Sequence, residues 1–340
     1  MKAYLEKLIS GEDLTFEEMK EVTEYCLEKA TDSEIAALLT AMQAKGETAE
    51  EIAGIVDVIL AKSTFKIPVI TDAIDNCGTG GDKSFSFNIS TTSAFVIAGA
   101  GIKVAKHGNR SITSKSGSAD VLEALGVSLT LSKEHVEELL QENNIAFLFA
   151  PNVHSSLKPF TKVRRELGIR TVFNIIGPLT NPVHLNAQLL GVYDKTFLKM
   201  LATALNRLGR KRAIVINGAG NLDEATLAGD NHLVFLNNGE ITSFTLSPND
   251  VNLPTYAKEE IRGGTAQENA DILLSVLKGK KSAYYDTVLL NAGLGIFASG
   301  KVNSIQDGIE KARESIESGA ALKRLEYLID YSKKVPSGVS

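Results

Sequence analysis

Between residues 75 and 126 the chain concentrates glycines, hydroxyls and a basic run: Asp75-Asn-Cys-Gly-Thr-Gly-Gly-Asp82, Phe87-Asn-Ile-Ser-Thr91, Lys106-His-Gly-Asn-Arg110 and Ser116-Gly-Ser-Ala-Asp120. Glycines accept positive φ and carry no Cβ, so Gly78, Gly80 and Gly81 let backbone N–H groups converge on one anion. A Gly-Gly pair alone is more often a tight turn. Here a second anion site follows about a dozen residues on. Ser90 or Thr91 is placed to cap a helix over the small-apolar residues 94–100, and a helix N-terminus attracts phosphate. Two such sites point to a polyphosphate. No Gly-Lys-Ser/Thr closes the first loop and the glycine spacing does not fit the dinucleotide fingerprint, so neither a nucleoside triphosphate nor NAD is the expected ligand.

Three further groups could do chemistry. Asp223-Glu224 follows the Asn217-Gly-Ala-Gly-Asn221 loop, and two hard-oxygen carboxylates suit magnesium, although an acid pair in a loop is commonly only solvated. Arg164, in the Arg164-Arg165 pair, offers the two-pronged donor geometry that grips a carboxylate, or an exposed helix face. His107 stands beside Lys106; it is read as orienting or packing rather than as an acid or base, with no catalytic group certain. His135, His184 and His232 show no pairing or metal spacing.

These residues need elements to hold them. Thr15/Glu18, Thr31/Glu34 and Thr48/Glu51 are three capping boxes ahead of apolar-periodic runs, and Ile35, Leu38, Leu39 and Met42 follow one helical face. The first 63 residues therefore predict a small helical block, and 63–72 a hinge. Beyond it, apolar runs at 102–105, 127–131, 145–149, 187–192 and 213–216 read as strands alternating with helices, the pattern of a largely parallel sheet. Residues 232–236 and 241–246, joined through Asn237-Asn-Gly239, read as a β-hairpin. Four of the eight prolines fall at 151, 159, 178 and 182, which argues against regular structure there, and residues from about 266 onward read as helical.

Composition sets limits. The 340 residues, 44% hydrophobic and 23% charged, are those of an ordinary globular protein with material for two domains. A net charge of −5 without a Lys/Arg cluster offers no attraction to nucleic acid or anionic lipid. Two cysteines, Cys26 and Cys77, form no disulfide framework, and residues 94–101 are too short to span a bilayer, so the expected location is cytoplasmic.

In this order, Cys77-Gly-Thr-Gly-Gly-Asp82, Asn88-Ile-Ser-Thr91, Lys106-His-Gly-Asn-Arg110 and Ser116-Gly-Ser-Ala-Asp-Val-Leu-Glu-Ala-Leu-Gly126 resemble the motif series of the anthranilate phosphoribosyltransferases. Arg164, Phe173-Asn-Ile-Ile-Gly-Pro-Leu-Thr-Asn-Pro182, Asp223-Glu224, Gly263-Gly264 and Glu268-Asn-Ala270 extend the resemblance over nearly the whole chain. It implies an α/β fold: an all-helical domain at 1–70, an α/β domain at 71–340 with a mostly parallel central sheet flanked by helices, and a crossing segment near 155–185 packed on the helical domain. It implies transfer of phosphoribosyl from 5-phosphoribosyl 1-diphosphate to the amine of anthranilate, in tryptophan biosynthesis, by a homodimer joined through its helical domain.

By the same resemblance the donor is held by Gly78, Gly81, Asp82, Ser86, Asn88, Ile89, Ser90, Thr91, Lys106, His107, Gly108, Asn109, Arg110, Ser111, Ile112, Thr113, Ser114 and Ser118. Anthranilate is held by Gly78, Asn109 and Arg164. Two Mg2+ ions are implied per subunit, one shared by Ser90 and Glu224 and the other held by Asp223 and Glu224. His154 falls in a substrate-access region. Departures are few: Lys83 where a small residue is usual, Ser86 for Thr, and His154-Ser-Ser-Leu-Lys158 for His-Pro-Ala-Met-Lys. A pyrimidine nucleoside phosphorylase shares the fold but needs no Asp223-Glu224 metal pair. A nucleic-acid-binding relative would need a basic surface. The other large phosphoribosyltransferase class carries an Asp-Asp pair, absent here.

Overall fold

Thr15, Thr31 and Thr48 each accept the backbone N–H three residues on, while Glu18, Glu34 and Glu51 reach back to the capping residue's own N–H. All three boxes form, and they start helices α2 (Phe16–Glu28), α3 (Asp32–Lys45) and α4 (Ala49–Lys62), after the short α1 (Lys2–Ile9). The computed structural model describes residues 1–63, 65–67, 70, 72–111 and 115–335. The expected hinge at 63–72 therefore lies partly outside the described residues.

The remaining elements in chain order are β1 (Ala73–Asp75), α5 (Ile89–Gly99), β2 (Val104–Gly108), α6 (Ser118–Ala124), α7 (Lys133–Glu142), β3 (Ile145–Phe149), α8 (Ala150–Val153), α9 (Lys158–Leu167), β4 (Leu185–Gly191), α10 (Phe197–Arg207), β5 (Arg212–Asn217), β6 (Asn231–Asn237), β7 (Glu240–Leu246), α11 (Ala266–Leu277), α12 (Ala283–Ala298), α13 (Ile305–Glu317) and α14 (Ala320–Lys334). One seven-stranded sheet runs β3-β2-β1-β4-β5-β6-β7. Pairings from β3 through β5 are parallel, and β6 and β7 add an antiparallel edge. The β6–β7 turn has Asn238 and Gly239 both at positive φ, the type I′ geometry that Asn-Gly favours.

Alternation along the strands divides the interior in two. Ile214 and Ile216 point into the cluster formed with α5, α11, α12, α13 and α14. Ala213, Val215, Val234 and Leu236 point the other way, toward α10 and the N-terminal helices. Phe160 and Val163 of α9, and Val172, Ile175 and Leu179 after it, join that second cluster beside Leu38 and Ile52. The proline-rich segment thus packs on the N-terminal helices with short helices in place of regular sheet.

Three local readings need correction. Residues 127–131 form no strand: Val127, Leu129 and Leu131 are buried alternately, but the Leu129 carbonyl accepts from Asn152 Nδ2 and no strand pairs with them. β1 went unread because its three residues carry too little pattern. Helix α5 starts at Ile89 behind Asn88, so Ser90 and Thr91 lie within its first turn and do not cap it. No helix among the described residues is long and apolar enough to cross a membrane.

Candidate active site

Because β1, β2, β4 and β5 are parallel, their carboxyl ends share one side of the sheet, where ligands of open α/β sheets bind. The segments leaving these ends wall a cleft of about 1060 Å³. β1 leads into the glycine loop, β2 into residues 109–111, beyond which 116–118 also line the cleft, β4 into Tyr193, and β5 into the loop carrying Asp223 and Glu224.

In the glycine loop, Gly80 and Gly81 have φ of 68° and 81°. The Thr79 N–H donates to the Gly191 carbonyl at 2.9 Å, tying the loop to β4. The Gly80 N–H donates to Asp223 Oδ2 at 2.6 Å. A Cβ on Gly78 would strike the Asp223 carboxylate, and one on Gly191 the Asp223 carbonyl, so both glycines are needed for the acid loop to come this close. Beside it, Glu224 Oε1 accepts the Ser90 N–H at 3.1 Å, in the first turn of α5. A carboxylate from a distant loop does there what a local capping side chain does elsewhere.

Both acids are raised above the usual carboxylate range. Burial is the main cause for each; Asp82 adds to it at Asp223, and Asp223 at Glu224. Like-charged oxygens crowded into a low-dielectric wall are what a divalent cation relieves, and carboxylate and hydroxyl oxygens suit magnesium. The Ser90 hydroxyl offsets part of the rise at Glu224, and Ser90, Asp223 and Glu224 offer oxygens of the kind that magnesium takes. Asn291 of α12 holds this loop from behind. Its side chain accepts from Ala225 N–H at 2.9 Å and donates to the Ala225 carbonyl at 2.8 Å.

Opposite the acids, Lys106 of β2 is 2% exposed, and its Nζ has no hydrogen-bond partner among the described residues. Asn88 is fixed by Asn269, whose Nδ2 donates to Asn88 Oδ1 at 2.8 Å, while Asn88 Nδ2 donates to the Ser116 carbonyl at 3.3 Å. Asp120 accepts the N–H groups of Ser111 and Gly117 at 3.1 and 2.8 Å, closing the turn after β2. Gly78, Gly81, Asp82, Ser86, Asn88, Ile89, Ser90, Lys106, His107, Gly108, Asn109, Arg110, Ser111 and Ser118 all line the cleft. Arg110 does so with its guanidinium committed to Asp120 and Glu123. Thr91 lies beneath the wall, bonded to the Ser118 hydroxyl at 2.9 Å. Ile112, Thr113 and Ser114 fall outside the described residues.

Across the cleft, Arg164 of α9 is half-buried, 5.1 Å above the Phe173 ring, with no hydrogen bond or ion pair to another described residue. Burial lowers its pKa, and it lacks an anion. Arg170, which sequence reasoning missed, stacks 4.4 Å over Tyr193 and donates to the Gly81 carbonyl at 3.3 Å. His107 is buried, which pushes its pKa down to about 3, with His154 and Lys106 adding to the effect; His154 itself is lowered to about 4. Neutral rings that resist protonation are poor proton acceptors, in keeping with an orienting role for His107.

Asp75, at the foot of the site, also escaped the sequence reading. It accepts the N–H groups of Asn76 and His107 at 2.8 and 3.3 Å, and Asn181 Nδ2 at 3.0 Å. This joins β1, β2 and the segment after α9. The available signal was a buried-type strand ending in a charged residue, which demands partners.

Residues 2–63 match the glycosyl transferase family's helical bundle domain, and residues 70–322 match its a/b domain. An anthranilate phosphoribosyltransferase of Oceanobacillus iheyensis is 58% identical over 336 residues, covering 98% of this chain and 99% of that protein. The anthranilate phosphoribosyltransferase structure from Thermus thermophilus superposes with a TM-score of 0.91 at 39% identity, over 97% of this chain and 99% of that one. The Saccharomyces cerevisiae enzyme, in complex with PRPP and Mg, superposes with a TM-score of 0.89 at 30% identity, over 98% of each chain. Similarity of this depth, end to end and across both domains, means that the chain belongs to the anthranilate phosphoribosyltransferase family of enzymes.

Proposed function

We propose that this enzyme transfers the phosphoribosyl group of 5-phosphoribosyl 1-diphosphate to the amine of anthranilate, releasing diphosphate and N-(5-phosphoribosyl)anthranilate, within tryptophan biosynthesis. The observation that carries the reading is the opposition of two sites in one cleft. An amide-lined, acid-bearing pocket with a Lys106 ammonium faces the Arg164 guanidinium, both without a partner among the described residues.

The donor's diphosphate lies against the Gly80 and Ser90 amides, with Lys106 beside it. These donors are fixed before reaction, so they stabilise charge gathering on the leaving group without reorganising. Ser90, Asp223 and Glu224 hold the magnesium, two ions per subunit, which supplies further positive charge to that leaving group. Arg164 grips the anthranilate carboxylate, Asn109 and Gly78 complete the acceptor pocket, and the amine is left facing C1 of the sugar. An aromatic amine is nucleophilic when neutral, so no strong base is required, and His107 orients rather than abstracts.

Residues 1–70 act as a separate helical domain on the α/β domain of 71–340, and two copies pair through it. The family-model boundaries support the division, and Ile9, 75% exposed at the end of α1, supports an apolar contact there. The enzyme works in the cytoplasm. Mixing the protein with 5-phosphoribosyl 1-diphosphate, magnesium and anthranilate should quench anthranilate fluorescence, and a chelator should stop it. Phosphorolysis of thymidine or uridine in place of quenching would overturn the reading in favour of a nucleoside phosphorylase.

A further inference from the structure

Beneath the glycine loop lies a second set of ligating atoms, of which only His107 has a part in the proposed transfer. Asp75, Cys77 and His107 are all buried, and one carboxylate oxygen, the thiol sulfur and one ring nitrogen lie within 4.8 Å of one another. The Cys77 thiol donates to Asp75 Oδ2 at 3.5 Å. A tetrahedral zinc ion, with sulfur at roughly 2.3 Å and carboxylate oxygen at roughly 2.0 Å, holds those two atoms about 3.5 Å apart. The spacing is thus already that of the metal-bound pair, and only the bridging proton stands between them.

His107 supplies the independent observation. The residue is 4% exposed, and its Nε2 has no hydrogen-bond partner among the described residues. A buried, unpartnered ring nitrogen suits a metal, which neutral imidazole commonly ligates. Asp75 remains anchored by Asn181 and two backbone amides, so its carboxylate is held in place. Lys106 and Glu224 lie beside Cys77, and the buried Arg210 guanidinium lies beside Asp75.

We propose that Asp75, Cys77 and His107 form a binding site for a thiophilic divalent cation of the zinc class, distinct from the magnesium set, with its fourth position open to the cleft. On binding, a metal–sulfur bond forms as the Cys77 S–H bond breaks, and the proton leaves to solvent through the cleft; no oxidant or reductant is involved. Cys77 precedes Gly78 and His107 follows Lys106, so an occupied site stiffens both arms that hold the donor and makes the cation inhibitory.

The test titrates the metal-free full chain with Co2+, whose thiolate ligation gives a near-ultraviolet charge-transfer band. One equivalent should produce the band in the native chain, in Cys26→Ser and in Glu224→Gln. It should vanish in Cys77→Ser and need at least about tenfold more metal in His107→Gln. No band, a band that survives Cys77→Ser, or one that disappears with Cys26→Ser or Glu224→Gln overturns the proposal. If Cys77→Ser fails to fold, alkylation of the native chain decides: one equivalent of Zn2+ should protect Cys77, as mapped by mass spectrometry, and an unchanged rate overturns it.

Discussion

The Gly80 amide donates to Asp223 Oδ2 at 2.6 Å across 143 positions of sequence, and in the same way the Ser90 amide is taken by Glu224 at 3.1 Å. The two backbone anion sites are therefore occupied by the protein's own carboxylates. Diphosphate arriving without metal must displace them. Asp223→Asn leaves a neutral, weaker acceptor, so in chelator it should bind inorganic diphosphate roughly five- to tenfold more tightly than the native protein by isothermal titration, a difference of about 1 kcal/mol. In magnesium the order should reverse. Glu224→Gln should lower turnover by about a hundredfold, the scale expected on losing a preorganised charge-stabilising group.

Arg164 has no anion of its own, and Phe173 holds it from one side. Arg164→Ala should raise the KM for anthranilate by tenfold or more, the loss of roughly 1.5 to 3 kcal/mol from a charged hydrogen bond, and leave the donor KM nearly unchanged. Equal effects on both constants in steady-state assays would remove Arg164 from the acceptor pocket.

How much of this could be read from the chain depends on the distance over which each feature is determined. The Thr15, Thr31 and Thr48 boxes were legible because cap and partner lie three residues apart. The glycine loop, Lys106, Arg164 and the acid pair stood out through the resemblance of the whole motif series, since the loop alone reads as a tight turn, the arginine as an exposed helix face and the acids as a solvated pair. What the acids do without one was not, since the Asp223–Gly80 contact joins residues far apart in the chain. Residues 127–131 carry the alternation of a strand, yet no strand is available to pair with them. Asn291 is a lone polar residue in an apolar run and Asp75 only the head of the glycine stretch, and only the fold supplies the groups they satisfy.

Burial holds His107 down to about 3 and His154 to about 4, against ordinary values near 6.5. The unfolded chain therefore binds protons on these rings that the folded chain refuses. The stability that these two rings contribute is complete above pH 6.5 or so and is lost as pH falls through 4 toward 3. For His107 alone the loss at pH 4.5 is roughly 2 to 3 kcal/mol. Urea denaturation at several pH values should show this slope, and His107→Gln should flatten it; a variant with the native slope would contradict the assignment.

Asn291→Ala leaves the buried N–H and carbonyl of Ala225 without partners, at a cost of about 1 to 3 kcal/mol each. Thermal denaturation should show a lower Tm. Because Ala225 follows Glu224, magnesium affinity should also fall, by roughly tenfold or more, as with other groups that hold metal ligands in place. A stable variant with native magnesium affinity would free the acid loop from its dependence on α12.

The central claim, that Asp223 and Glu224 leave the amides to hold metal while diphosphate takes their place, is met most directly by a crystal structure with manganese and 5-phosphoribosyl 1-diphosphate. Anomalous scattering should place manganese on Ser90, Asp223 and Glu224, with diphosphate oxygens on the Gly80 and Ser90 amides. Manganese elsewhere, or Asp223 still bonded to Gly80 beneath a bound donor, would contradict it.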